Sequence, residues 1–315
     1  MSERYDVLGI GNAIVDVLAH ADEAFLASHE IPKGGMILID TDKATAIYGG
    51  MTPVAQVSGG SAANTIACLA SLEGAGAFVG KVADDALGTT FRTSLRDLGV
   101  KFDSTTTDAA PTGRCLINVT PDAERSMATF IGAAALITEA DMEPALIQGS
   151  KVVYFEGYLF GYDQAVSAFT HACQEAHKVG NKTALTLSDA GLVGALRDQM
   201  LPVITDYVDI IFANEAEALA LFDVTDLDQA VAALQDICSF GAITRSGQGS
   251  IVFGPETDPV AVPAYPPKQL VDTTGAGDAY AGGYLYGFTH AMALDDCARL
   301  GSLCATEVIS HIGPR

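Results

Sequence analysis

Lys151-Val-Val-Tyr-Phe155 and Thr183-Ala-Leu-Thr-Leu187 are short apolar runs, and the stretch between them, 162–179, reads as a helix. A strand, a crossover helix and a second strand in that order form a right-handed unit and imply a parallel sheet covered on both faces. The alternation continues downstream. Val208-Asp-Ile-Ile-Phe-Ala213 and Gly241-Ala-Ile-Thr244 read as strands, 193–204, 215–222 and 226–239 as helices, and two more helices follow at about 276–290 and 294–309. Upstream, Tyr5-Asp-Val-Leu-Gly-Ile-Gly11 is a buried strand ending in glycines. Ala62 to Leu72 reads as a helix, Ala77-Phe-Val-Gly-Lys-Val82 as a strand and Ala86 to Leu98 as a helix. The expected fold is α/β, with a mostly parallel central β-sheet and helices on both faces.

Two segments interrupt this pattern. One carries β-like pieces such as Met36-Ile-Leu-Ile-Asp40; the other pairs Arg114-Cys-Leu-Ile-Asn-Val119 with Ser126-Met-Ala-Thr-Phe-Ile131 around a turn at Pro121-Asp122. A small inserted β lid, over about 17–57 and 112–132, accounts for both. No repeat, low-complexity run or Pro/Gly linker marks a second unit, so a single domain over 1–315 is expected.

Of the 315 residues, 49% are apolar and 18% charged, the profile of a packed globular chain. Lys and Arg number 17 against 39 Asp and Glu, a formal charge of −22. That balance argues against nucleic acid or an anionic membrane as principal partner, since both demand basic side chains. It also means that a phosphorylated ligand needs a local device to hold it. The six cysteines show neither C-x-x-C nor a Cys/His metal spacing, which suits a reducing compartment. With no leader-like start and no run of about 20 apolar residues, a cytoplasmic location is expected.

The phosphate device is offered by Asp272-Thr-Thr-Gly-Ala-Gly-Asp278. Glycines at 275 and 277 permit close backbone approach, and the N–H groups of 275–278 converge at a helix N-terminus. Asp278 then stands beside the anion pocket, placed to take a proton from an attacking hydroxyl. The plain structural alternative is an Asp capping a helix after a glycine turn. Gly59-Gly-Ser-Ala-Ala-Asn64 opens a helix, and Asn12-Ala-Ile-Val-Asp16 follows the first strand. Both put amide and carboxylate groups suited to polyol hydroxyls at strand ends, where open α/β sheets bind ligands. Gly9-Ile-Gly11 does not begin a dinucleotide fingerprint, because Ile14 stands where the third glycine belongs, and no P-loop occurs.

Together these motifs resemble the ribokinase/PfkB family of carbohydrate and nucleoside kinases. Asp272–Asp278 is similar to its C-terminal signature D-T-x-G-A-G-D, Gly59-Gly60 with Asn64 to its N-terminal glycine signature, and Asn214-Glu-Ala-Glu217 to its N-x-x-E motif. Gly9-x-Gly-Asn12-x-x-x-Asp16 and Arg125-Ser126 point to the adenosine-kinase-like branch. The resemblance implies a ribokinase-like fold and transfer of the γ-phosphoryl of ATP to a primary CH₂OH. Asp278 is then the base, and the amides of Gly275, Ala276 and Gly277 form the anion hole. Asn12, Asp16, Gly59, Gly60, Asn64 and Arg125 are implied to bind the acceptor. Asn214 and the segment Thr244-Arg-Ser-Gly-Gln-Gly249 are implied to bind nucleotide through Thr244, Ser246, Gly247 and Gly249. Ser246 replaces the family's first glycine there, so its backbone is expected to stay in a region open to other residues. Mg²⁺ is implied to be organised by Asn214 and Glu217 through its hydration shell, and K⁺ by Asp272 and Thr274, with the loop near Gly313.

The acceptor expected first is adenosine or a related nucleoside, with ribose or another free sugar second. A catalytically silent nucleoside- or sugar-binding module is the non-enzyme alternative; a base beside the anion pocket speaks against it. Tyr158 and Phe160 are candidates for a base pocket. Near Met36, where adenosine kinases place a polar side chain, the residue is apolar. A homodimer through the lid is a further expectation.

Overall fold

The computed structural model describes residues 4–122 and 124–315; Met1–Glu3, part of the start read above for a leader, and Ala123, inside the second lid segment, lie outside them. Eight strands form the larger sheet. Their order across it is Val260–Val262, Ser250–Phe253, Phe240–Thr244, Ile210–Asn214, Lys182–Thr186, Ser150–Glu156, Tyr5–Ile10 and Gly76–Val79. The last six run parallel, and the first two are antiparallel. Side chains alternate between faces, as strand geometry requires. Val7, Val152, Tyr154, Ala184 and Ile210 join the core formed with Tyr280 and Tyr284 of helix Ala276–Thr289. Leu8, Val153, Phe155, Leu185 and Ile211 join the opposite one, with Phe169 of helix Asp163–His177 and Ile204 of helix Ala190–Tyr207. Burial on both faces is why these strands read as continuous apolar runs.

The antiparallel pair at the sheet edge was not expected from the sequence. Its strands are only a few residues long and follow the tight turn at Gly249, so neither alternation nor length marks them. The strand expected over 77–82 divides into Gly76–Val79 and Val82–Ala83, the latter pairing with Thr106–Thr107.

The second sheet has the order Met36–Leu38, Arg125–Phe130, Gly113–Val119, Ile14–His20, Pro53–Gly59. Its first strand starts at Ile14, three residues earlier than the expected lid, so Asp16 lies within a lid strand. Between the strands the first lid segment is more helical than expected. Asp22 and Asp40 cap helices Glu23–Ser28 and Thr41–Gly50 by accepting from the backbone N–H groups of Phe25 and Lys43. Val15, Val17, Leu116 and Ala128 on one face of this sheet are buried with Leu26 and Ile47 of those helices. Asp16, Leu18 and Ile117 belong to the other face, which borders the cavities described next. All six cysteines are free, and no described helix is long and apolar enough to cross a membrane.

Candidate active site

The six parallel strands of the larger sheet end at one edge, and Asn214 and Thr244 stand there as register partners on neighbouring strands. The helix Ala276–Thr289 points its N-terminus at the same edge, with Gly275 as its cap at φ +78°. A side chain at Gly275 is excluded twice, by that left-handed backbone and by Pro314, whose Cβ would lie 2.7 Å from an added Cβ. The N–H of Ala276 donates to the carbonyl of Thr273 at 3.2 Å. Those of Gly275, Gly277 and Asp278 meet no acceptor among the described residues. The free donors at this positive helix end are therefore 275, 277 and 278 of the 275–278 read from the sequence, whereas the family resemblance implied 275, 276 and 277.

Asp278 lies in the first turn. Ser61 Oγ donates to its Oδ1 at 2.6 Å, and Asn64 Nδ2 to its Oδ2 at 3.0 Å. Desolvation raises its pKa to about 6, against the pull of those two bonds and of the Arg315 charge. It is thus ionised at neutral pH but close enough to it to accept a proton. Asp16 comes from strand Ile14–His20 of the small sheet and packs where Gly59 has no side chain; an added Cβ there would be 2.6 Å from its carboxyl atoms. Burial lifts its pKa to about 7; Arg315 and Arg125 oppose the rise, and Asp278 adds to it. Gly60, at φ +92°, precedes helix Ser61–Ser71, and an added Cβ would strike the carbonyl oxygen of Asn12.

One residue of this site escaped the sequence reading. Glu156, fully buried at the end of strand Ser150–Glu156, accepts from Asn12 N (2.9 Å), Asn12 Nδ2 (2.7 Å) and Ala62 N (2.9 Å). It ties the end of the first strand to the start of helix Ser61–Ser71, and burial raises its pKa to about 7. The available signal was a lone acid closing an otherwise apolar strand, Val152-Val-Tyr-Phe-Glu156.

Asn214 and Glu217 form a reciprocal cap on helix Glu215–Phe222. Glu217 N donates to Asn214 Oδ1 (2.9 Å), while Asn214 N and Nδ2 donate to the Glu217 carboxylate (2.9 and 2.8 Å). Burial raises the Glu217 pKa to about 7. Among the described residues no group of three or more His, Cys, Asp and Glu is arranged to hold a metal directly. The Asn214–Glu217 oxygens, both beside the polar cavity, fit a hard cation only through its water shell.

Ser246 adopts φ +49°, the left-handed region, contrary to the expectation that its backbone stays where non-glycine residues are at ease. The turn imposes the glycine-like conformation on a serine. Arg125, on strand Arg125–Phe130, pairs with Asp272 Oδ2 at 2.7 Å. The other oxygen of Asp272 accepts from the N–H and hydroxyl of Thr274, and Gly313 N donates to Oδ2 at 2.9 Å. Of the two aromatic candidates, Tyr158 reaches the cavity wall, whereas Phe160 packs in the core against Phe169. Met36 is half exposed on an edge strand and lines none of the cavities beside the site.

Three cavities adjoin. A polar one of about 370 Å³ gathers Asp16, Gly60, Ser61, Asn64, Asn214, Glu217, Thr244 and 275–278; the expected acceptor residues Asn12 and Gly59 do not line it. A second, of about 450 Å³, shares Thr244 and Gly277 with it and adds Ser246, Gly247, Gly249 and Tyr265. The third, of about 810 Å³, is bounded by Leu18, Ala55, Val57 and Ile117 of the small sheet, by one side of helix Ala86–Asp97, and by Arg125 and 312–315. A carboxylate base beside free helix amides, between two clefts, is arranged for moving an anionic group from one bound molecule to a hydroxyl of another.

Comparison with known proteins agrees with this geometry. The chain is 46% identical to an adenosine kinase of known crystal structure from Sinorhizobium meliloti, with a TM-score of 0.91 over 99% of this chain and 96% of that one. It is 40% identical to a probable sugar kinase protein from Rhizobium etli CFN 42, also at TM-score 0.91, over 99% and 95% of the two chains. Adenosine kinase from Saccharomyces cerevisiae is 28% identical, covering 97% of this chain and 95% of its own length. The pattern of the pfkB family carbohydrate kinases matches residues 39–315. The chain accordingly belongs to the pfkB family of carbohydrate kinases, phosphotransferases with an alcohol group as acceptor.

Proposed function

We propose that this kinase phosphorylates the primary hydroxymethyl group of a nucleoside, with adenosine as its acceptor and ATP as donor. The observation that carries the choice of acceptor is the cavity of about 810 Å³ with Leu18, Ala55, Val57 and Ile117 on its wall, next to the polar cavity that holds Asp16, Asn64 and Asp278. A ribose fits the polar cavity alone, whereas a nucleoside fills both, placing its base against apolar side chains. The similarity to adenosine kinases supports the same choice. A free-sugar acceptor is the second reading, favoured by the likeness to the Rhizobium etli protein.

In the proposed reaction Asp278 takes the proton of the acceptor's CH₂OH as its oxygen attacks the γ-phosphorus. The bond from that phosphorus to the β-bridging oxygen breaks, and ADP leaves with the electron pair. The amides of Gly275, Gly277 and Asp278 face the charge on the transferring group. Thr244, Ser246, Gly247 and Gly249 line the cleft for the nucleotide. Mg²⁺, held through water by Asn214 and Glu217, would supply charge neutralisation at the phosphates. A monovalent cation near Asp272 and Thr274 is a subsidiary part of the proposal, checked by comparing activity in K⁺ and in tetramethylammonium salts. The whole chain is taken as one kinase domain whose small sheet acts as a lid, excluding water from the site.

The test is release of ADP with adenosine, other nucleosides, ribose and fructose in turn. Adenosine should give the highest kcat/KM, and Asp278→Asn should lower kcat by about 10²–10⁴-fold while adenosine binding survives. A free sugar outperforming every nucleoside would move the assignment to the second reading; near-normal turnover by the variant would remove Asp278 as base.

A further inference from the structure

The segment that follows helix Leu294–Val308 runs back into the site. Gly313 N binds Asp272 Oδ2, Pro314 lies against Gly275, and Arg315 directs its guanidinium inward. Arg315 Nε donates to Asn64 Oδ1 at 2.9 Å and Nη1 to Ser58 Oγ at 2.5 Å. Nη2 is buried and finds no partner among the described residues. Asn64 is the same side chain whose Nδ2 holds Asp278, so one amide links the guanidinium to the carboxylate. Arg315 also lines the cavity of about 810 Å³, and the charges of Asp16 and Asp278 act on it. Burial lowers its pKa to about 10, which leaves it charged at neutral pH.

A buried donor without an acceptor is costly. The guanidinium is held by two of its nitrogens while the third is left over, on a residue that lines the cavity of about 810 Å³. In the reaction proposed above, the oxygens that come near this residue are the ring hydroxyls of the acceptor. We propose that Arg315 is an acceptor-binding residue, giving its free Nη2–H to a hydroxyl oxygen of the bound nucleoside. This rests on the acceptor reading given under Proposed function. None of the motifs that locate the rest of the site includes this position.

Arg315→Ala and Arg315→Lys, made in the full chain, test it by steady-state kinetics with adenosine and ATP. Loss of a hydrogen bond from a charged donor should raise the adenosine KM about 10–100-fold in the alanine variant. The ATP KM should stay within about twofold, because a residue on the acceptor side binds no nucleotide. Added guanidinium ion should restore part of the loss in Arg315→Ala, and lysine should restore less than arginine, having no fork of donors. An unchanged adenosine KM overturns the proposal. A lowered one also overturns it, because it would mean that Arg315 obstructs the site. Equal rises for both substrates, with a lowered Tm and no rescue, would make the residue a structural prop and overturn it too. The acceptor reading is judged separately, on wild type. If wild type binds adenosine without phosphorylating it, the kinase assignment fails, and the ratio of calorimetric adenosine Kd values still decides Arg315. If wild type binds no nucleoside, both fail.

Discussion

Asp16 is a carboxylate only 8% exposed, and no hydrogen-bond donor among the described residues reaches it. Replacing it with asparagine keeps the shape and removes the charge. The folded pKa is raised from 3.8 to about 7, so the folded chain holds a proton that the unfolded chain has released between those two values. Folding stability from this group therefore falls as pH rises from about 4 to 7 and is flat above. At about 1.4 kcal/mol per pH unit, the penalty has a ceiling of about 4 kcal/mol at pH 8 and of about 1.6 kcal/mol at pH 5. Asp16→Asn should thus stabilise the protein, and by more at pH 8 than at pH 5, the difference approaching about 3 kcal/mol. Urea unfolding of both proteins at the two pH values reads this directly, provided the slopes agree. Glu156 and Glu217 titrate in the same range in both proteins and cancel, while Asp278, whose charge adds to the rise at Asp16, is relieved of that repulsion in the variant. The same variant should lose acceptor affinity, a site residue having been kept at the expense of stability. A stability difference that is the same at pH 5 and pH 8, within about 0.5 kcal/mol, would show that the carboxylate is not desolvated as the fold places it.

Two further substitutions test the scaffold. Glu156→Gln sets an NH₂ group against one of the three donors that the carboxylate now satisfies; unfolding should show a loss of about 2–3 kcal/mol, and the acceptor KM should rise as Asn12 and helix Ser61–Ser71 shift apart. Ser246→Gly relieves a left-handed serine; urea titration should show a gain of about 0.5–1 kcal/mol, and the ATP KM should not rise.

The central sheet was legible because both of its faces are buried, so each strand is an apolar run and each crossover a helix of ordinary length. The site's glycines were legible for a related reason: Gly59, Gly60 and Gly275 stand where a side chain would strike Asp16, Asn12 or Pro314. What the sequence concealed depends on contacts between distant segments. Glu156 meets Asn12 across 144 positions, and Arg315 meets Asn64 across 251. No local spacing encodes either meeting. The lid's helices were missed because Asp22 and Asp40 look like turn residues until their side chains are seen accepting from the backbone. Ser246 failed differently, since the turn overrode the residue's own preference.

The two ends of the motif Asp272–Asp278 divide the labour between structure and chemistry. Asp278 faces the cavity with a raised pKa. Asp272 has its pKa held low despite burial, because Gly313, Thr274 and Arg125 all surround it. Through those contacts it fastens both the small sheet, by Arg125, and the segment 313–315, by Gly313, to the start of the motif. In the proposed reaction a chain with a charge of −22 needs positive charge where phosphate arrives, and the stretch 272–278 carries no Lys or Arg. Helix amides supply part of it. Two arginines from segments remote in sequence add charge around the site, Arg125 paired with Asp272 and Arg315 acting on Asp16 and Asp278. With its oxygens taken up by these donors, Asp272 has little left for a cation, so a monovalent ion beside it would depend on backbone oxygens. The acid at the head of the motif thus serves to assemble the cations that the acid at its end works beside.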